Sequence, residues 1–263
     1  MEIQIYQVDA FAEKLFSGNP AAVCVLDFWL DDQKMQSIAA ENNLPETAFI
    51  VKNNKDNYFE IRWFTPEAEV ELCGHATLAS AHVLFKHLNI PGNQVTFFSK
   101  YSSWLYVNQI NDELQLDFPQ DVYQAVETPH LLIEAFGAKP LECYLGKTDY
   151  MLIFESKQQI QDFKPDFNLI SKAGKRGVIV SAKGDYVDFV SRFFAPQLGI
   201  PEDPVTGSAH TLLAPYWSDK FGKTKLKALQ LSKRGGQLTC QLVNDRVLIS
   251  GKAITYLKGI IFI

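Results

Sequence analysis

Residues 62–77 read RWFTPEAEVELCGHAT, and residues 192–210 read RFFAPQLGIPEDPVTGSAH. Each stretch opens on Arg-aromatic-Phe-small-Pro at the end of an apolar, strand-like run, and each reaches a Gly-x-Ala at the head of an uncharged segment. The Arg and Pro positions are offset by 130 residues, whereas Gly74-x-Ala76 and Gly207-x-Ala209 are offset by 133, so the second connection carries three extra residues. The shared order of strand, Arg-aromatic-Phe-small-Pro, loop, Gly and apolar segment reads as one supersecondary unit written twice. Two similar domains are expected, 1–120 and 121–263, with a cleft between them.

Outward from each copy the chain is mostly strand. Short runs rich in Val, Ile, Phe and Tyr recur at 3–8, 21–26, 47–51, 58–64, 95–99, 105–110 and 114–118, and again at 150–154, 178–181, 187–194, 228–231, 238–242, 247–250 and 254–263. Turn signals such as Gly184-Asp185, Gly235-Gly236 and Asn244-Asp245 separate several of them. Amphipathic helices are expected at 31–43, with an acidic start, and at 129–136, ending at Gly137. The segments 74–85, GHATLASAHVLF, and 207–217, GSAHTLLAPYW, contain no Asp, Glu, Lys or Arg. A helix without a charged face is enclosed on all sides. With strands all around, a curved sheet wrapped about each helix is the economical arrangement. Pro215 predicts a kink in the second helix, or a different boundary for it.

Composition narrows the function. The chain has 263 residues, 47% of them apolar, with 25 Lys plus Arg against 30 Asp plus Glu for a net charge of −5. Such a chain has length for a real core, and its acidity argues against a nucleic-acid partner, which needs clustered cations to neutralise phosphates. No apolar run approaches the ~18–20 residues of a membrane helix, and the opening residues MEIQIYQVDAF have neither a basic nor a hydrophobic leader region. A soluble, cytoplasmic protein acting on a small molecule is expected. Cys24, Cys73, Cys143 and Cys240 are scattered and read as free thiols. His82, His87, His130 and His210 form no metal-ligand pattern with a Cys or a carboxylate, so no metal site is expected.

Each copy delivers a Gly to a helix start, where backbone N–H groups lack intrahelical partners and the helix dipole is positive. Gly74-His75 and Gly207-Ser208 are therefore candidates to hold a carboxylate, Gly allowing close approach. The plainer alternative is that both glycines shape tight strand-to-helix turns. Glu46, in Asn42-Asn43-Leu44-Pro45-Glu46-Thr47-Ala48-Phe49, lies between a helix end and an apolar strand, where desolvation would raise its pKa towards neutrality. Asp203 precedes the second helix start and is a candidate acid or base, or a simple cap. His75 is placed to polarise a substrate group or relay a proton. Cys73 would be either a thiolate activated by the helix N-terminus or an inert buried thiol. Ser208 and His210 look like a hydrolase pair but lack the spacing of a nucleophile elbow.

These residues coincide with a known pattern. Asp9-Ala10-Phe11, Ser17-Gly18-Asn19-Pro20-Ala21-Ala22-Val23, Asn43-Leu44-Pro45-Glu46-Thr47-Ala48-Phe49, Arg62-Trp63-Phe64-Thr65-Pro66, Leu72-Cys73-Gly74-His75-Ala76-Thr77 and Glu202-Asp203-Pro204-Val205-Thr206-Gly207-Ser208-Ala209-His210 together resemble the PhzF-like phenazine-biosynthesis isomerase family. The resemblance implies an α+β fold of the diaminopimelate epimerase type: two pseudo-symmetric domains, each a barrel-like, mostly antiparallel sheet around a central helix, with the last strand crossing to the first domain. It implies a cofactor-independent isomerase that moves a proton on a small carboxylic acid, with no metal, no nucleic-acid or membrane partner, and a homodimer as one oligomeric option. Glu46 would be the main proton shuttle, Asp203 a second acid or base and His75 an assistant. Gly74, Gly207 and Ser208 would hold the carboxylate, and Asn19 would lie beside the substrate. Two alternatives stay open: an amino-acid epimerase or racemase of the diaminopimelate type, which would need a thiol on each face of the carbon, and a catalytically silent ligand- or partner-binding protein.

Overall fold

The computed structural model describes residues 1–53 and 58–263. The chain divides into two compact units, one made of Met1–Asp117 with Ser250–Ile263, the other of Phe118–Ile249. Unit 1 runs β1 (Glu2–Ala10), β2 (Asn19–Leu26), α1 (Asp32–Asn42), β3 (Glu46–Asn53), β4 (Tyr58–Phe64), β5 (Glu69–Val70), α2 (Gly74–Lys86), β6 (Gln94–Ser99), β7 (Ser103–Ile110) and β8 (Glu113–Pro119). Unit 2 continues with β9 (Gln124–Ala125), α3 (His130–Phe136), β10 (Glu142–Leu145), β11 (Asp149–Ile153), α4 (Lys157–Asp162), α5 (Phe167–Ser171), β12 (Gly177–Lys183) and β13 (Phe189–Ala195). After a 3₁₀ turn at Pro196–Leu198 come β14 (Ile200–Asp203), α6 (Gly207–Phe221), β15 (Lys225–Gln230), β16 (Gly236–Val243) and β17 (Arg246–Gly251). The last strand, β18 (Ala253–Phe262), pairs antiparallel with β1 in unit 1.

The duplication extends from the motif to the whole pairing scheme. In unit 1, β2 is parallel to β3, β3 antiparallel to β4, β4 antiparallel to β5 and parallel to β6, and β6 antiparallel to β7. In unit 2, β11, β12, β13, β14, β15 and β16 repeat those relations in the same order. The repeated Arg is the clamp that fixes each short strand. Arg62 donates from Nε and Nη2 to the two carboxylate oxygens of Glu69 at 2.7 and 2.8 Å, tying β5 to β4. Arg192 grips Glu202 of β14 in the same fork, at 2.7 and 3.0 Å. Each guanidinium also lies over the Phe two residues on, Phe64 at 5.2 Å and Phe194 at 4.9 Å. A planar fork matches a carboxylate in a way a lysine cannot, so the Arg and the aromatic recur together because they build one device.

Helices α2 and α6 are the enclosed elements that their lack of charge predicts. Leu78, Ala79, Ala81, Val83 and Leu84 of α2 are fully buried, and the helix packs on β1, β2, β3, β7 and β18. Full burial of a Leu or Val side chain is worth roughly 1.5–3 kcal/mol. The opposite sheet faces carry the amphipathic helices: Met35, Ile38 and Ala39 of α1 join Ile3, Ile5, Cys24 and Phe49, and Leu132 and Phe136 of α3 join Leu152, Val180 and Phe194. Pro215 does not end α6, which runs to Phe221. The carbonyl of Thr211, deprived of its helical donor by the proline, instead accepts from the backbone N–H of Asp121 at 3.1 Å. The boundary expected at 217 falls short because it follows the end of the uncharged run, whereas the helix continues through Asp219 and Lys220. Among the described residues, no helix is long and apolar enough to cross a membrane.

Candidate active site

Unit 1 brings Asn19, Glu46, Gly74 and His75 together. Glu46 is placed by the end of α1: Asn43 takes a left-handed conformation (φ 47°) and caps the helix, Leu44 packs against the core, and the Asn42 amide donates to the Thr47 hydroxyl at 3.0 Å. Asn19 is placed by Gly18, whose φ is +70° and where a Cβ would stand 2.2 Å from the Ala10 carbonyl oxygen. Cys73 occupies the cap position of α2, and Gly74 and His75 form its first turn.

The His75 ring is enclosed on three sides. Its Nε2 lies 3.0 Å from Glu46 Oε2, close but outside the alignment of a linear hydrogen bond. Its Nδ1 lies 3.1 Å from the Asn19 amide nitrogen and 3.5 Å from Cys73 Sγ. In the neutral ring, an Asn19 amide that donates to Nδ1 leaves the proton on Nε2, the side of Glu46. Burial works against the charged ring, but the Cys73 sulfur and the Glu46 carboxylate outweigh it and hold the His75 pKa well above the ordinary value. The Cys73 thiol is pushed up, first by burial and then by the Glu46 charge.

Unit 2 gathers Asp203, Gly207 and Ser208 around the start of α6. Thr206, the cap residue, donates from its hydroxyl to Asp203 Oδ2, and its backbone N–H donates to Gln230 Oε1 at 2.9 Å. Gln230 Nε2 in turn donates to the Asp203 carbonyl at 2.8 Å. Ser208 Oγ receives Arg176 Nη2 at 3.2 Å, and the same guanidinium is forked onto the buried Asp149. Arg176, Asp149 and Gln230 were not singled out in the sequence, where nothing marks a long-range partner of a short loop. His210 makes no pair with Ser208: its Nδ1 donates to the Thr206 carbonyl at 2.8 Å, and burial drops its pKa to about 4.

Strand register gives the counterparts of the two halves. Glu46 faces Ala21 at the first pair of β3 with β2, and Gly177 faces Asp149 at the first pair of β12 with β11. Gly177 thus stands where unit 1 has Glu46, and a Cβ there would come 2.3 Å from the Phe193 ring. Thr206 stands where unit 1 has Cys73, and Ser208 where it has His75. Neither Gly74 nor Gly207 has a positive φ, so backbone conformation does not demand glycine at either helix start.

Ligating atoms of Glu46, Cys73 and His75 all lie within 4.8 Å of one another, and all three residues are buried. The sequence reading weighs His82, His87, His130 and His210 as ligands and not this trio, which strand pairing assembles by bringing Glu46 to a Cys-x-His far from it in the chain.

A family model described as phenazine biosynthesis-like protein matches residues 8–259. A Pseudomonas aeruginosa protein named an uncharacterised isomerase is 49% identical over 259 residues, covering 98% of each chain. The crystal structure of a PhzF-family phenazine biosynthesis protein from Enterococcus faecalis superposes with a TM-score of 0.96 at 45% identity over 100% of both chains. At 9% identity, a hydroxyproline epimerase from Agrobacterium vitis superposes with a TM-score of 0.66 over 99% of this chain and 92% of its own, which relates the fold alone.

Proposed function

The chain belongs to the phenazine biosynthesis-like (PhzF) family of isomerases, and from that premise we propose that it moves a proton on a small carboxylic acid without a metal or an organic cofactor. The observation that carries the reading is the buried Glu46 carboxylate 3.0 Å from His75 Nε2 at the first turn of α2. Glu46 takes the proton from carbon and returns it elsewhere on the same molecule. His75, its positive charge favoured, assists by steadying the Glu46 carboxylate between transfers. Asp203 serves as the second acid or base, oriented by the Thr206 hydroxyl.

Removing a proton from carbon next to a carboxyl-bearing or unsaturated centre develops negative charge. The backbone N–H groups at Gly74-His75 and at Gly207-Ser208, with the positive dipole ends behind them, are suited to stabilise that charge. Asn19 borders the substrate from the start of β2. A two-thiol epimerase is disfavoured, since the counterpart of Cys73 in unit 2 is Thr206, which offers no second thiol.

The test is incorporation of deuterium from heavy water into a panel of small hydroxy, amino and unsaturated acids. An isomerase of this kind exchanges at least one of them at a non-exchangeable C–H. Saturable binding of the acids without any exchange would make the protein a binder and overturn the reading.

A further inference from the structure

The function proposed above gives the Cys73 thiol no proton to transfer, yet the thiol is built into the same cluster as Glu46 and His75. Sγ and Nδ1 are 3.5 Å apart. Zinc bound tetrahedrally through sulfur at about 2.3 Å and nitrogen at about 2.0–2.1 Å sets those two atoms about 3.5 Å apart. Both residues belong to the cap and first turn of one helix, so the spacing is fixed by backbone. Glu46 supplies the third donor on a side chain with three rotatable bonds; its Oε2 stands 3.0 Å from Nε2 on the other side of the ring, and one ligating atom from each of the three residues lies within 4.8 Å of the rest. Thiolate, imidazole and carboxylate make a three-ligand set with a fourth position open. Unit 2 has Thr206, Ser208 and Gly177 at the corresponding positions and offers no such set.

We propose that Glu46, Cys73 and His75 form a site, one per chain, for a thiophilic divalent cation such as Zn²⁺, and that its occupation stops proton transfer by taking up Glu46 and His75. The second half of this rests on the function proposed above; the first does not. The ion lies between Sγ and Nδ1, displacing the Asn19 amide from Nδ1, and the Glu46 carboxylate turns from Nε2 onto it. On binding, the Cys73 S–H bond breaks, sulfur keeps the electron pair and coordinates the ion, and the proton passes to water. No oxidation state changes. A sulfur donor selects Zn²⁺, Co²⁺ or Cd²⁺ over Mg²⁺ or Ca²⁺.

The experiment is a titration of the whole metal-free protein with Co²⁺, followed by thiolate-to-cobalt charge-transfer absorption in the near ultraviolet, then by displacement with Zn²⁺. One equivalent of Co²⁺ giving the band, with Zn²⁺ erasing it, is expected. Cys73→Ala and Cys73→Ser are expected to abolish the band and weaken Zn²⁺ binding by about tenfold or more, whereas replacing Cys24, Cys143 and Cys240 together leaves it in place. Absence of the band at stoichiometric Co²⁺, or its survival in folded Cys73→Ala, overturns the site. For the second half, Zn²⁺ at one equivalent is expected to suppress deuterium exchange in the wild type and not in Cys73→Ala. Full exchange with the site occupied overturns the blockade. Failure of the metal-free wild type to exchange any acid counts against the proposed function instead, and the cobalt titration still decides the site.

Discussion

The two helix starts are built on one plan and equipped differently. Each is a Gly at the head of an enclosed helix, and the fourth residue of each helix returns a side-chain hydrogen bond to the cap carbonyl, Thr77 Oγ1 at 2.6 Å in α2 and His210 Nδ1 at 2.8 Å in α6. Each is preceded by a short strand clamped by the repeated Arg. Around the first stand three buried titratable groups: Glu46, His75 and the Cys73 thiol. Around the second stand Ser208, Thr206 and the Arg176–Asp149 pair, with Asp203 as the single carboxylate tied to the cap. Gly177 shows how far the halves have diverged, since the Phe193 ring fills the space where unit 1 has Glu46. Duplication supplied a pair of like helix starts, and the side chains at matching registers differ.

The largest effect that tests this likeness concerns the Arg clamps. Arg192 uses Nη1 as well, donating at 2.9 Å to the carbonyls of Ile160 and Phe163, whereas Nη1 of Arg62 reaches only the exposed Asp32. Arg192→Ala leaves a carboxylate and two carbonyls without their donor and is expected to cost about 3–5 kcal/mol in urea unfolding. Arg62→Ala is expected to cost clearly less. Equal losses would mean that the clamps are equivalent and that the α4 contact contributes nothing.

Next is acid sensitivity. The His210 pKa is about 4 in the fold through burial and about 6.5 in an unfolded chain. Below pH 6.5 the unfolded state binds a proton that the folded state refuses, so stability is full above 6.5 and falls as the pH drops towards 4, by about 3 kcal/mol for this group. His210→Thr, which installs the residue of unit 1, is expected to remove that share of the slope. His82 in unit 1, held near 4 chiefly by burial, keeps its own. An unchanged slope in His210→Thr would show that His210 is not the group responsible.

A smaller effect addresses anion binding. Gly74→Val and Gly207→Val are expected to weaken carboxylate ligands by roughly tenfold or more and to weaken the matching amides less. Since neither glycine needs a positive φ, the variants should fold. Equal loss for acid and amide would assign both glycines to turn geometry.

Much of this was legible in the sequence because it is local. The repeated Arg-aromatic-Phe-small-Pro, the absence of charge in both central helices, and the placement of Glu46 between a helix end and an apolar strand are all short-range patterns. What was not legible depends on register and long-range partners. The equivalence of Gly177 with Glu46 follows only from strand pairing. The continuation of α6 past Pro215 needs a donor from Asp121, and the approach of Glu46 to Cys73 needs β3 laid beside the start of α2. Hydrogen bonds between distant loops, such as Gln230 to Asp203 and Arg176 to Ser208, leave no periodic trace.

The role proposed for Glu46 is tested most directly by measuring deuterium exchange per folded, ligand-binding molecule in Glu46→Gln and Cys73→Ala side by side. Gln keeps the shape and cannot take the proton, so exchange is expected to fall by about 10²–10⁴-fold in Glu46→Gln with ligand affinity largely kept. Cys73→Ala is expected to retain substantial exchange, its loss confined to packing. If Cys73→Ala falls as far as Glu46→Gln, a thiol moves the proton and the assignment of that role to Glu46 is wrong.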